Sequence, residues 1–267
     1  MLWASLSNIS NMFAYKLILS YQGTAYFGWQ IQKADQQTIQ GTLENCLKQI
    51  CKSENIKTIG SGRTDAGVHA LNQVVRIEIP LNIEAQALVR ALNSFLPLDI
   101  RVKSATVIED EFHPIFSAKK KEYIYLFNVK EPTPFQRNLV THVPYDLDLE
   151  SMKKAASVFV GEYDFCNFYT IGTNVKSTVR TVFRAEIVHY SAGAFQEQFP
   201  EVFALKIEGS GFLKQMVRLI MGTIWEAGRG KIGVEEIRKH LKGESFSKKL
   251  AAVAPPQGLY LSFVSYE

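Results

Sequence analysis

The chain has 267 residues, 46% hydrophobic and 21% charged, which is the balance of a soluble globular protein able to bury one large core or two modest ones. A formal net charge of +4 permits a polyanionic partner without demanding one. No stretch reaches the roughly 18 consecutive apolar residues that would suggest a membrane span.

The first eleven residues carry neither a basic n-region nor a long apolar h-region, so residues 1–11 do not read as a signal peptide and are expected to be either a disordered extension or a stretch ahead of a true start at Met12. Tyr15–Tyr21 is a predicted strand with an apolar face at Tyr15, Leu17, Leu19 and Tyr21. A Gly- and Gln-rich loop follows, in which Tyr26, Phe27 and Trp29 are read as packing or loop-anchoring residues. Ile39, Leu43, Cys46, Leu47, Ile50 and Cys51 recur at helical spacing. Short strands are expected around Ile56–Ile59 and Gln73–Ile79, a helix over Glu84–Phe95 ended by Pro97, and a strand over Ile100–Val107. Phe112–Lys121 reads as a crossing between two lobes, its lysine run preceding a strand at Tyr123–Val129, and Glu131–Pro144 reads as irregular. A helix over Leu149–Val160 is expected to stop at Gly161. Strands at Thr178–Tyr190 and Val202–Glu208, helices at Gly211–Ala227 and Val234–Leu241, and a strand at Gly258–Tyr266 complete the chain. Neither half alternates as βαβ, so the class is α+β with helices on a mainly antiparallel sheet. The expected division is 1–11, then a lobe at 12–112 and a second at 113–267.

Cys46, Cys51 and Cys166 are odd in number and form no C-x-x-C pair, which favours reduced thiols in a cytosol over a disulfide framework. The histidines are scattered without metal-ligand spacing, which argues against a zinc site, and no Walker loop or dinucleotide fingerprint is present.

The stretch Gly60-Ser61-Gly62-Arg63-Thr64-Asp65-Ala66-Gly67-Val68-His69-Ala70 joins two strand-like runs. Its glycines are read as giving access to positive φ and close approach of another molecule, and Arg63 lies two residues from the Asp65 carboxylate. A plain surface turn has no need of Arg-Thr-Asp followed by Gly-Val-His. His69 is read as bonding its own loop rather than titrating.

That loop resembles the active-site loop of the tRNA pseudouridine synthase A family, and other motifs follow in the family's order. They are Tyr21-Gln22-Gly23-Thr24 with Gly28-Trp29-Gln30, then Leu92-Asn93-Ser94-Phe95-Leu96-Pro97 with Asp99-Ile100, then Phe116-Ser117-Ala118 with Tyr123 and Tyr125. Gly211-Phe212-Leu213 with Met216-Val217-Arg218, and Ala254-Pro255-Pro256 with Gly258-Leu259-Tyr260-Leu261, complete the set. The chain departs from the family pattern at Gln22, Tyr163 and Lys214, where the family usually has Asp, His and Tyr.

The resemblance implies two α+β lobes sharing an extended antiparallel sheet with the active cleft between them. It also implies a homodimer, a tRNA substrate and no cofactor, since isomerisation involves neither net redox change nor a group donor. Membrane and metal partners are not expected, and the setting is cytoplasmic. The implied targets are uridines of the anticodon stem-loop just 3′ of the anticodon, U38, U39 and U40. Asp65 becomes the expected catalytic carboxylate, acting as nucleophile at C1′ or as base at C2′. Tyr123 is the expected substrate contact, through ring stacking on the extruded base or proton transfer at C5. Arg63 and Arg180 are candidates to pair with Asp65 or bind phosphate. Lys119, Lys120 and Lys121 are candidates for RNA contact beside Tyr123. So are Lys214 and Arg218, read as sharing one helix face. The competing readings are a pseudouridine synthase for another RNA, a non-catalytic RNA-binding module, and a carboxylate hydrolase. The last would call for a second acidic partner or metal ligands, and neither is seen.

Overall fold

A computed structural model of the chain describes residues 12–33, 35–108, 111–172, 175–190, 201–243, 246 and 249–267. The expected extension at residues 1–11 lies outside them. Among the described residues, ten strands form one sheet. They are β1 (Phe13–Tyr21), β2 (Lys57–Gly60), β3 (His69–Ile79), β4 (Ile100–Val107), β5 (Lys120–Asn128), β6 (Thr141–His142), β7 (Gly161–Asp164), β8 (Val179–Tyr190), β9 (Val202–Gly209) and β10 (Leu259–Ser265). The main path runs β4-β1-β3-β10-β5-β9-β8-β7, with β2 on β3 and β6 on β5. Only the β10–β3 and β5–β6 pairings are parallel, so the α+β class with a mainly antiparallel sheet holds. The helices are α1 (Ile39–Cys51), α2 (Ala85–Phe95), α3 (Leu149–Val158), α4 (Met216–Gly228) and α5 (Val234–His240).

The local reasons are legible. On β1 the predicted face Tyr15, Leu17, Leu19 and Tyr21 is buried. Thr38 caps α1 by accepting the Gly41 N–H at 3.2 Å, and Lys52, at φ 48°, ends it. The Glu84 carboxylate caps α2 through the N–H groups of Gln86 and Ala87, each at 2.8 Å. Tyr26 and Trp29 are buried as anchors, whereas Phe27 is half exposed.

Four expectations need correction. Gly161 does not stop α3, which ends at Val158: at φ 133° it opens the short strand β7, where a Cβ would lie 2.9 Å from the Tyr163 ring. The irregular stretch before Pro144 contains β6. β5 starts at Lys120, so two of the three run lysines are strand residues rather than its preface. Helix α4 starts at Met216, five residues later than Gly211, since Gln215 sits at φ 60° and interrupts helical geometry.

Two features position the site. The last strand, β10, lies between β3 and β5, so both halves share one continuous sheet and the larger of two apolar clusters, which runs from Tyr15 to Val264. One side of β3 pairs with β1, and the other is divided: Val75–Glu78 pairs with β2, while His69 and Ala70 pair with β10. The connection at residues 61–68 therefore leaves the sheet where β3 exchanges one neighbour for another, directly over the centre.

Candidate active site

The loop at residues 61–68 is held along most of its length. Ser61 N–H donates to Val74 O at 2.7 Å and its hydroxyl to Gln73 Oε1 at 2.7 Å, while Gln73 Nε2 donates to Gly62 O at 2.7 Å. Thr64 O accepts the Trp29 N–H at 3.0 Å, and its hydroxyl meets Tyr21 Oη at 2.9 Å. Gly67 N–H donates to Tyr26 O at 3.2 Å, and Val68 N–H to Asp65 O at 3.1 Å. Gln73, fully buried on a core strand, is a polar clamp that the apolar pattern of β3 conceals.

Of the loop glycines, only Gly67 adopts positive φ, at 78°. Gly60 is required for space instead: a Cβ there would lie 2.6 Å from the Trp29 ring. The expectation that all three glycines serve backbone freedom is corrected accordingly.

His69 corrects another expectation. Gly23 N–H donates to its Nδ1 at 3.0 Å, so the proton sits on Nε2, which faces Gln257 O at 3.1 Å. The ring thus joins three segments rather than its own loop, and burial pushes its pKa down.

Asp65 sits at the middle of this frame, its side chain 26% exposed and therefore open to a ligand. Its Oδ2 accepts from Arg218 Nη1 at 3.0 Å. Arg218 is itself fixed, since Nε donates to Ala254 O at 2.7 Å and its carbonyl accepts the Ala254 N–H at 3.2 Å. Pro255 O in turn accepts from Tyr125 Oη at 2.7 Å. The Ala254-Pro255-Pro256 motif is thus a brace linking α4, β5 and the loop.

The cation paired with Asp65 is therefore the one 153 residues away. Arg63, two residues from it, is exposed. Arg218 is buried, whereas Lys214 precedes α4 and is exposed, so the two do not share a helix face. Gln215 between them breaks the periodicity on which that expectation rested.

Tyr123 is buried on β5, its ring edge-on to Phe212 at 5.2 Å. Burial first, and the nearby Asp65 charge second, raise its hydroxyl pKa well above the ordinary value, so it stays protonated. The three run lysines part ways. Lys119 is exposed, and Lys120 faces Glu208 at 3.5 Å. Lys121 turns inward and donates to Ser61 O at 2.6 Å, with loss of hydration pushing its amine down to about 8. Arg180 donates to Ser177 O at 2.9 Å and Val179 O at 2.6 Å, a local arrangement on β8 without contact to Asp65.

One carboxylate, one buried guanidinium, one neutral phenol and one desolvated amine thus converge from both halves of the sheet. Such a set suits attack on, or proton removal from, a sugar carbon beside a stacked ring. Among the described residues, no three His, Cys, Asp or Glu side chains gather to hold a metal, and no helix is long and apolar enough to cross a membrane.

Comparison with known proteins adds to this geometry. A family model described as tRNA pseudouridine synthase matches residues 17–117 and 155–267. A protein named tRNA pseudouridine synthase A from Listeria welshimeri is 38% identical over 257 residues, covering 96% of this chain and 100% of that one. One of the same name from Thermoanaerobacter sp. is 41% identical over 251 residues, covering 94% and 98%. Among solved structures, a Cbf5-Nop10-Gar1 complex aligns with 79% of this chain and 53% of that chain at 12% identity. Its TM-score is 0.30.

Proposed function

The chain belongs to the tRNA pseudouridine synthase family, and on that premise we propose that it isomerises uridine to pseudouridine in tRNA with Asp65 as its catalytic carboxylate. The observation that carries the reading is the Asp65–Arg218 pair at 3.0 Å, held under a braced loop yet open to a ligand, with the Tyr123 hydroxyl beside it.

The reaction breaks the N1–C1′ bond, turns the base and rejoins it through C5, and the proton leaves C5. A uridine reaches such a site by leaving the base stack. Arg218 fixes Oδ2, and Asp65 then acts as nucleophile at C1′ or base at C2′. Tyr123, kept neutral by burial, offers a ring face to the base and a hydroxyl for proton exchange at C5. Arg63, Lys119, Lys120 and Lys214, all outside the buried centre, together with Arg180, are proposed to meet phosphates along the RNA path.

The finer parts of the proposal are uridines 38, 39 and 40 of the anticodon stem-loop, a homodimer spanning one tRNA, and work in the cytoplasm. Free Cys46, Cys51 and Cys166 support a reducing setting. Pseudouridine mapping of total tRNA from cells lacking the gene tests the target, with loss confined to those positions expected. Loss elsewhere, or none, overturns the assignment. Light scattering should give about twice the 30.1 kDa chain mass. A fully active monomer would remove the dimer from the reading.

A further inference from the structure

Gly62 has no internal reason to be glycine. Its φ is not positive, and a Cβ built on it would meet only Lys121 Nζ at 3.7 Å and Tyr123 Oη at 3.8 Å, ordinary van der Waals separations. Gly60, Gly67, Gly23 and Gly28 all differ, since a Cβ at each would come within 3.0 Å of a neighbouring group. The space beside Gly62 is thus kept open by a residue that the chain's own packing does not require.

Both atoms bordering that space are short of partners. Lys121 and Tyr123 lie two apart on β5 and share a face. An ammonium has three protons to donate, and among the described residues Lys121 gives one, to Ser61 O at 2.6 Å. The Tyr123 hydroxyl, on a residue 8% exposed, has no hydrogen-bond partner among them. The nearby carboxylate, Asp65, is engaged by Arg218 instead. A cation without a countercharge and a hydroxyl without a partner thus face one empty spot beside the catalytic loop.

Resting on the uridine-isomerase reading, we propose that this space is the seat of the uracil ring, and that the Lys121 ammonium donates to one of its carbonyl oxygens. When the N1–C1′ bond breaks, its electron pair stays with the ring, and the negative charge spreads over N1 and the two carbonyl oxygens. A fixed ammonium in a dry site stabilises that charge where it develops. The ring then rejoins C1′ through C5, which returns Asp65 to its starting state, and the C5 proton passes to solvent while N1 takes one up, so Lys121 ends with the protons it began with. Lys121 thereby leaves the phosphate path to which the basic run assigned it. Gly62 becomes a size filter, since any side chain there would project into the ring's place.

The test uses the full chain as Gly62→Ala and Lys121→Met, with single-turnover tritium release from C5-labelled uridine in tRNA beside filter binding and thermal melting. Gly62→Ala should melt as the wild type and bind tRNA within about twofold, yet turn over about a hundredfold more slowly. Lys121→Met should lose at least about tenfold in the same step with its salt dependence of binding unchanged. Wild-type turnover by Gly62→Ala overturns the seat, and wild-type turnover by Lys121→Met overturns the ammonium's role. Weaker binding by Lys121→Met with a flatter salt slope and an unchanged step makes it a phosphate contact, which also overturns the proposal. Should Lys121→Met fail to fold, Lys121→Gln, which keeps a donor for Ser61 O without the charge, is read in the same assay: the same loss is expected, and wild-type turnover overturns the ammonium's role. A wild-type chain that releases no tritium from tRNA overturns the uridine reading itself, a result distinct from an active wild type beside an equally active Gly62→Ala.

Discussion

Two sets of basic residues, a buried floor beside Asp65 and an exposed rim, carry similar charges in opposite circumstances. On the floor, Arg218 is buried and Lys121 half-buried, and each has named partners at 3.0 Å or less. On the rim, Arg63, Lys119 and Lys214 are exposed, and Lys120 has only a loose contact to Glu208 at 3.5 Å. Exposed charges are screened within about 8–10 Å at physiological salt and act additively on a polyanion. Buried ones are hardly screened, cost desolvation, and act through geometry. Rim residues should therefore set how tightly tRNA is held, and floor residues how fast it is changed.

The largest effect expected among the floor substitutions is that of Arg218→Met, which keeps much of the side-chain volume but leaves Asp65 without its cation. Turnover should fall about a thousandfold with tRNA affinity little changed, the pattern of an interaction used in the reaction step. Single-turnover rates beside filter binding check it, and a comparable loss of affinity would move Arg218 to the rim.

Next in size is the rim. For about six phosphate contacts, wild-type affinity should fall roughly a thousandfold between about 50 and 200 mM salt. Changing Lys119, Lys120 and Lys214 together to Ala should weaken binding at low salt and flatten the log–log slope by about 2, at roughly 0.7–0.9 per contact, with saturated turnover kept. An unchanged slope would make these lysines ordinary solvated surface.

The smallest effect concerns proton linkage at Lys121. Its amine is pushed from 10.5 down to about 8 in the folded chain, so between those values the unfolded chain binds more protons and stability rises with pH. The tyrosines Tyr21, Tyr26, Tyr123, Tyr125, Tyr260 and Tyr266, whose pKa values loss of hydration raises, work oppositely above their ordinary 10.0. Comparison with Lys121→Met cancels that contribution. From about pH 8 to 10, wild type should gain on the order of 2 kcal/mol relative to Lys121→Met in urea unfolding. Parallel curves would mean that the amine is hydrated and the floor wetter than its geometry indicates.

The same contrast explains what the sequence could convey. Strand and helix positions rest on local periodicity and caps, and so β1, α2 and β4 are legible from Tyr15, Glu84 and Pro97 alone. Asp65 stands out because Arg-Thr-Asp between glycines is unusual chemistry for a turn. The family's motif order added Tyr123. What stayed hidden depends on contacts distant in sequence. Arg63 is adjacent to Asp65 in the chain, yet Arg218 reaches it because β10 brings the Ala254 brace between the halves. Lys120 and Lys121 differ by which way β5 turns them, and Lys119 lies outside the strand, none of which a charge run reveals. Gln215 at φ 60° had no local signal such as glycine, and so the start of α4 was placed too early.

The central claim is that Asp65 performs chemistry rather than shaping the loop, and Asp65→Asn tests it most directly. The change keeps the side-chain shape and a hydrogen bond to Arg218 while removing the negative charge. Tritium release from C5-labelled uridine in tRNA should be abolished to background, with binding in the filter assay retained or slightly tightened and the melting temperature nearly unchanged. Normal release by the Asn variant, or loss of binding and folding together, would contradict it.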